Sequence, residues 1–207
     1  MPRRPLSEAE RDLVRRRILD AAQELFDADG IEAVSMRAIG ARVGLAASAL
    51  YAYFPAKLDL IRALWHGALG ELESRFRALS EAEPDPVQAV VKLGAAYAEF
   101  AMEQPVGFRL LFLTGGETID ADFVASDQSR TAYFLLRDRV AEGIAQGRLI
   151  VEDADLAAQI LWSAIHGVLA LAITHPSFPF HPPALLVETM TRTMLRGLGR
   201  GDEHGER

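Results

Sequence analysis

The stretch SMRAIGARVGLAASALYAYFPAK (Ser35–Lys57) contains no acidic residue and only three basic ones, Arg37, Arg42 and Lys57. Ser35 reads as a helix N-cap whose hydroxyl satisfies an orphan amide. Met36, Ile39 and Val43 then recur at spacings of three and four, the apolar stripe of a short helix over Met36–Val43. Gly44 closes that helix, because the turn beyond it needs a residue tolerant of positive φ. A second short helix is expected over about Ala47–Tyr53, and Pro55 suits the first turn of another.

Upstream, Ile18, Ala22, Leu25 and Phe26 form one stripe among the charges Arg15–Arg17, Asp20 and Glu24, with Gly30 in a C-cap position. Downstream, Leu60, Leu64, Ala68 and Leu72 lie along one side of a long helix over about Ala56–Leu79. Three short helices and a long one, with a glycine turn between the second and third, have helix-turn-helix geometry. Ile18, Phe26, Ile39, Val43, Leu45, Leu50 and Phe54 are the expected core of that unit. Small side chains at Ala46, Ala47 and Ser48 allow the third helix a close approach to a major groove about 12 Å wide.

Helical patterning continues through the rest of the chain. Beyond the proline-punctuated SEAEPDP (Ser80–Pro86), helices are expected over Pro86–Met102, Val106–Leu113, Ala125–Gln146, Asp153–Thr174 and Pro183–Leu198. The four prolines of HPSFPFHPP forbid helix between the last two. Strand patterning and repeats are absent from the sequence, so the expected fold is all-α with about nine helices. Residues 1–57 form the expected helix-turn-helix domain, with a basic arm, and residues 58–207 a second helical domain.

The chain's net charge of −7 argues against a protein that coats nucleic acid indiscriminately, but the charge is uneven. Residues 1–57 carry a net of +1 and residues 58–207 a net of −8. An acid-free window inside an acidic chain is a footprint for a polyanion. Cysteine is absent, which excludes disulfides and thiolate metal sites. No apolar run reads as a membrane span: the longest, Ile160–Thr174, is interrupted by Ser163, His166 and Gly167. A cytoplasmic location without membrane contact is the expectation. Neither metal-ligand spacing nor a paired-carboxylate or GxSxG motif occurs, and LTGGE (Leu113–Glu117) lacks the Gly-Lys-Ser/Thr ending of a phosphate loop. Catalysis, metal and cofactor are therefore not expected.

SMRAIGARVGLAASALYAYFPAKLDLIRALW resembles the DNA-binding signature of TetR-family transcriptional regulators over about Ile18–Leu64. Its parts are a capped second helix, a glycine turn, an LYxxF recognition helix and a lysine opening the fourth helix. LWSAIHGVLAL (Leu161–Leu171) is similar to the Trp-x-x-x-His-Gly pattern of one branch of the family's C-terminal domains. The resemblance implies that Tyr53 and Lys57 bind phosphates and that Ser35 and Arg37 touch the DNA backbone. Tyr51 would pack against sugar–phosphate or stand at the groove edge, and Ala46, Ala47 and Ser48 would face the bases, with Arg42 a further candidate. Alanine methyls contact a thymine methyl but make no bidentate hydrogen bonds. Base discrimination is thus expected to lean on DNA shape and on an arm carrying Arg3 and Arg4.

The resemblance further implies a homodimer through the last two helices, which suits a palindromic operator with half-sites about 34–36 Å apart. Ala164, Gly167, Ala170 and Leu171 on one helix, and Leu186, Met190, Thr193 and Met194 on the other, fit such an interface. The middle helices concentrate Phe100, Phe108, Phe112, Phe123, Tyr133 and Trp162, with His166 and Tyr97 as polar groups among them. Either these line a site for a small apolar effector or they are plain core, with His166 a hydrogen-bonded structural residue. The expectation is a repressor released from DNA by that effector; a ligand-independent dimeric DNA-binding protein is the alternative.

Overall fold

The computed structural model describes residues 7–30, 33–113, 120–122, 124 and 127–199. Arg3, Arg4, Phe123, the start of the helix expected at Ala125 and nearly all of the loop from Thr114 lie outside them. Among the described residues the chain has nine α-helices with both ends described, further helical residues at 120–122 and 124, and no strand. The nine are α1 (Glu8–Asp29), α2 (Met36–Val43), α3 (Ala47–Leu50), α4 (Lys57–Ala82), α5 (Pro86–Glu103), α6 (Pro105–Phe112), α7 (Thr131–Ala145), α8 (Ala154–Thr174) and α9 (Pro183–Leu198).

Local chemistry sets most boundaries. A capping box begins α1: Ser7 Oγ accepts from the Glu10 amide while the Glu10 carboxylate accepts from the Ser7 amide. Gly30, at φ 81°, ends α1 with its amide on the Phe26 carbonyl. Asp85 caps α5 through the amides of Val87 and Gln88, and Asp153 caps α8 through those of Asp155 and Leu156.

The expected bounds of α3, α4 and α7 are corrected, as is the reading of α8 as too broken to span a membrane. α3 is one turn long, because Tyr51–Tyr53 form a turn that carries the chain to the buried Phe54. α4 begins at Lys57, two residues after Pro55, and continues through Ser80, whose hydroxyl accepts from the Arg139 guanidinium. A 3₁₀ turn over Asp127–Arg130 precedes α7 in place of one continuous helix. α8, with mean hydropathy 1.8, is long and apolar enough to cross a membrane by length and composition alone. The interrupting Ser163, His166 and Gly167 do not lower the mean as far as the broken run suggested. The core helix of a soluble protein has the same length and composition, and in α8 Ala157, Ala158, Leu161, Ile165, Leu169 and Ile173 are buried.

The chain divides into two compact units, residues 1–68 with 109–121 and residues 69–108 with 122–207. In the first, α1, α2, α3 and the start of α4 enclose Ile18, Phe26, Ile39, Leu50, Phe54, Leu60 and Trp65. Val43 and Leu45, also expected in this core, are half-buried. The second unit is built around α5, which packs against α7, α8 and α9. Gly94 lets α5 approach both α8 and α9: a Cβ there would lie 3.2 Å from both Ile165 Cδ1 and Thr191 Oγ1.

Candidate nucleic-acid interface

Ser35 caps α2 by accepting from the Ala38 amide at 3.1 Å. Gly44 ends the helix in the left-handed region, φ 72° and ψ 30°, with its amide on the Gly40 carbonyl. The next amide, of Leu45, also bonds that carbonyl at 2.9 Å. A Cβ at Gly40 would stand 2.6 Å from the Leu45 carbonyl oxygen, so glycine is what lets the turn fold against α2. The one turn of α3 is then held by Leu50 and Phe54, both fully buried.

This anchoring turns the other residues outward. Arg37, Ala46, Ser48 and Tyr51 are exposed, while Ser35, Ala47, Tyr53 and Lys57 are half-buried. All eight predicted nucleic-acid contacts thus reach the surface, on segments interleaved with the buried Met36, Ile39, Leu50 and Phe54. Ala46 is the N-cap residue of α3 and makes no side-chain capping bond.

Two acids, invisible in the acid-free window, enter this region in space. Glu24 of α1 pairs with Arg42 at 2.9 Å, both side chains well exposed, an arrangement that contributes little to stability. Asp59 accepts from the Ala56 amide at 2.9 Å, so one amide near the start of α4 is already taken by a carboxylate. Sequence reading also missed Arg15 and Arg17. Arg15 donates to the Tyr53 carbonyl at 3.0 Å and lies over the Phe54 ring, and Arg17 donates to the Val43 carbonyl at 3.2 Å.

In the second unit, four of the predicted effector residues form a row of rings. Tyr133 meets Trp162 at 5.9 Å between centroids, Trp162 meets His166 edge-on at 6.1 Å, and His166 stacks on Phe108 at 5.2 Å. His166 Nδ1 lies 2.9 Å from the Tyr97 hydroxyl, which donates to it when the ring proton is on Nε2. Burial lowers the His166 pKa, favouring that neutral ring. Burial raises the Tyr97 phenol, with the Trp162 indole N–H acting in the opposite direction. Tyr133 is pushed up to about 12 by burial and by the Asp155 carboxylate it bonds. Phe100 and Phe108 are fully buried, whereas Trp162 is 39% exposed. Phe112 is half-buried at the end of α6 and falls in the first unit.

Residues 18–64 match the domain described as bacterial regulatory proteins, tetR family. Residues 90–195 match the tetracyclin repressor-like C-terminal domain, a span that includes Trp162, His166 and Gly167. The HTH-type transcriptional repressor KstR of Mycobacterium tuberculosis is 43% identical over 75 residues, 36% of this chain and 32% of its own. The HTH-type transcriptional activator FasR of Mycolicibacterium smegmatis is 26% identical over 163 residues, 79% of this chain and 70% of its own. The chain thus spans about a third of the first of these relatives and more than two thirds of the second. A protein of unknown function from Rhodococcus sp. RHA1 shares the fold with a TM-score of 0.77 at 24% identity, covering 97% of this chain and 100% of that one. The TetR-family regulator PfmR of Thermus thermophilus superposes with a TM-score of 0.73 at 25% identity, covering 89% and 100%. With a capped α2, a left-handed glycine turn, an outward α3 and a matching C-terminal domain, the chain belongs to the TetR family of bacterial regulatory proteins.

Proposed function

We propose that the protein is a homodimeric transcriptional repressor that binds a palindromic operator through α3 and is released by a small apolar effector. The observation that carries DNA binding is the outward presentation of Ala46, Ser48 and Tyr51 on a turn pinned from beneath by Leu50 and Phe54. Tyr53 and Lys57 would hold phosphates on one flank, and Ser35 and Arg37 on the other, with Ala47 against the bases. Residues 1–57 are assigned to DNA binding and residues 58–207 to effector binding and dimerisation, in the cytoplasm where the DNA lies. Lys57→Ala should weaken binding to every duplex alike and reduce the salt dependence by about one phosphate contact. Unchanged affinity and slope in an anisotropy titration over a salt series would refute that role.

Dimerisation draws its support from α8 and α9. Leu156, Ile160 and Leu171 are exposed on α8, with Gly167 open beside them. On α9, Leu185 and Thr193 are exposed and Met190 and Met194 half-buried. Such an apolar face on one chain suits an interface between copies.

The effector is assigned to the aromatic row of Phe108, Tyr133, Trp162 and His166, with Phe100 behind it. Binding there would bias a two-state dimer, with α4 transmitting the change. The full burial of Phe100 and Phe108 favours a second reading, in which the row is plain core and the dimer binds DNA without a ligand. Thermal shifts with a panel of apolar compounds, each repeated in the presence of operator, separate the two. A compound that stabilises the free protein and competes with DNA supports the first reading.

A further inference from the structure

α3 is too short to hold its own geometry. Helix formation is cooperative with a costly first turn, so a four-residue helix takes its orientation from its neighbours. Leu50 and Phe54 fix its depth, and α2 packs against it where Gly40 meets Leu45, Ala47 and Leu50. α1 supplies two further constraints, one at each end. Arg15 and Arg17 stand two residues apart, so their side chains leave α1 on different sides. Arg17 donates to the carbonyl of Val43, just before the glycine turn that leads into α3. Arg15 donates to the carbonyl of Tyr53, just after the turn that leads out of it, with its guanidinium carbon 4.2 Å from the Phe54 ring centroid. The two contacts bracket Gly44–Ala52.

We propose that Arg15 and Arg17 are positioning residues for DNA recognition: two guanidinium straps from α1 that set the tilt of α3 and the placement of Tyr53. Each uses the planar fork of arginine, which directs donors at a fixed angle, and Arg15 stacks while it donates. The arrangement bears on this chain in particular, because two of the three base-facing residues on its recognition turn, Ala46 and Ala47, offer methyls, and only Ser48 offers a hydrogen-bonding group. Methyl contacts and shape readout depend on close, well-oriented approach, so a small loss of tilt removes selectivity before it removes affinity. The inference rests on the DNA-binding reading above.

The test replaces both straps while keeping their charge, as the double variant Arg15→Lys, Arg17→Lys. Anisotropy titrations use a duplex selected by the wild-type protein from a random pool and a random-sequence duplex of equal length, over a salt series. The expected result is about a tenfold loss on the selected duplex with the random duplex held within about twofold and the salt slope unchanged. Equal losses on both duplexes with a flatter slope would make the arginines phosphate contacts and overturn the proposal. Equal losses that track a lowered melting midpoint would make them merely structural, with the same consequence, as would unchanged selectivity. A wild-type protein that binds the pool but enriches no duplex has no selectivity for the straps to set and overturns the proposal, whereas one that binds no duplex overturns the DNA-binding reading itself.

Discussion

At Gly40 a single hydrogen atom in place of a methyl group decides whether the turn can close. The Cβ of alanine would meet the Leu45 carbonyl oxygen at 2.6 Å and Leu50 Cδ1 at 3.2 Å, and the first of these is backbone. Gly40→Ala should therefore cost about 1–3 kcal/mol, measured by denaturant unfolding, and should shift α3 outward. His166 makes a residue-scale prediction of another kind. Burial holds its pKa below the ordinary histidine value of 6.5, so the unfolded chain takes up the proton first as pH falls. Stability from this residue is complete above 6.5, declines as pH drops through that value, and levels off once the native ring protonates. Thermal midpoints of wild type and His166→Gln between about pH 7 and pH 5 should thus converge, because only the wild type loses this term. A constant gap between the two curves would remove His166 from that role.

At the scale of elements, α4 carries glycines at positions of the opposite kind. Gly67 and Gly70 are exposed in the helix interior, and a Cβ at either meets nothing within 4 Å. Alanine at each should stabilise the protein by about 0.5–1 kcal/mol in the same unfolding assay, the reverse of its effect at Gly40. They also flank the point between Ala68 and Leu69 where the two compact units divide. Most elements were legible in the sequence because their signals are local: Ser35 with the Ala38 amide, Gly44 at positive φ, and Asp153 ahead of α8. The length of α3 was not, because a demand from the core, the burial of Phe54, overrides the helical pattern at Tyr51–Tyr53. Nor were the arginine straps, whose partners lie 38 and 26 residues away and are backbone atoms that leave no mark on the sequence. Nor did the acid-free window reveal Glu24, which reaches Arg42 from another helix. The concentration of rings in the middle helices was readable, but their pairing was not; Phe112 belongs by composition to that group and by contacts to the other unit.

For the whole molecule, the proposed dimer should run on a sizing column with light scattering at twice the 22.7 kDa chain mass. Leu171→Glu places a charge on the exposed face of α8 and should yield a monomer that keeps its helical circular dichroism. That monomer should lose most of its affinity for a two-half-site operator while retaining weak binding to a single half-site. A variant that remains dimeric would move the interface elsewhere.

The apolar face of α8 also has a consequence for the life of a newly made chain. If α8 pairs with a second copy as proposed, its exposed Leu156, Ile160 and Leu171 would stay open to solvent, and so to lipid surfaces and chaperones, until that copy arrives. Assembly is then a race whose winner depends on how many copies are present. A regulator made at low abundance would have to pair while its neighbours on the same messenger are still being translated, so the spacing of ribosomes, as much as the operator, would set how much active protein a cell holds.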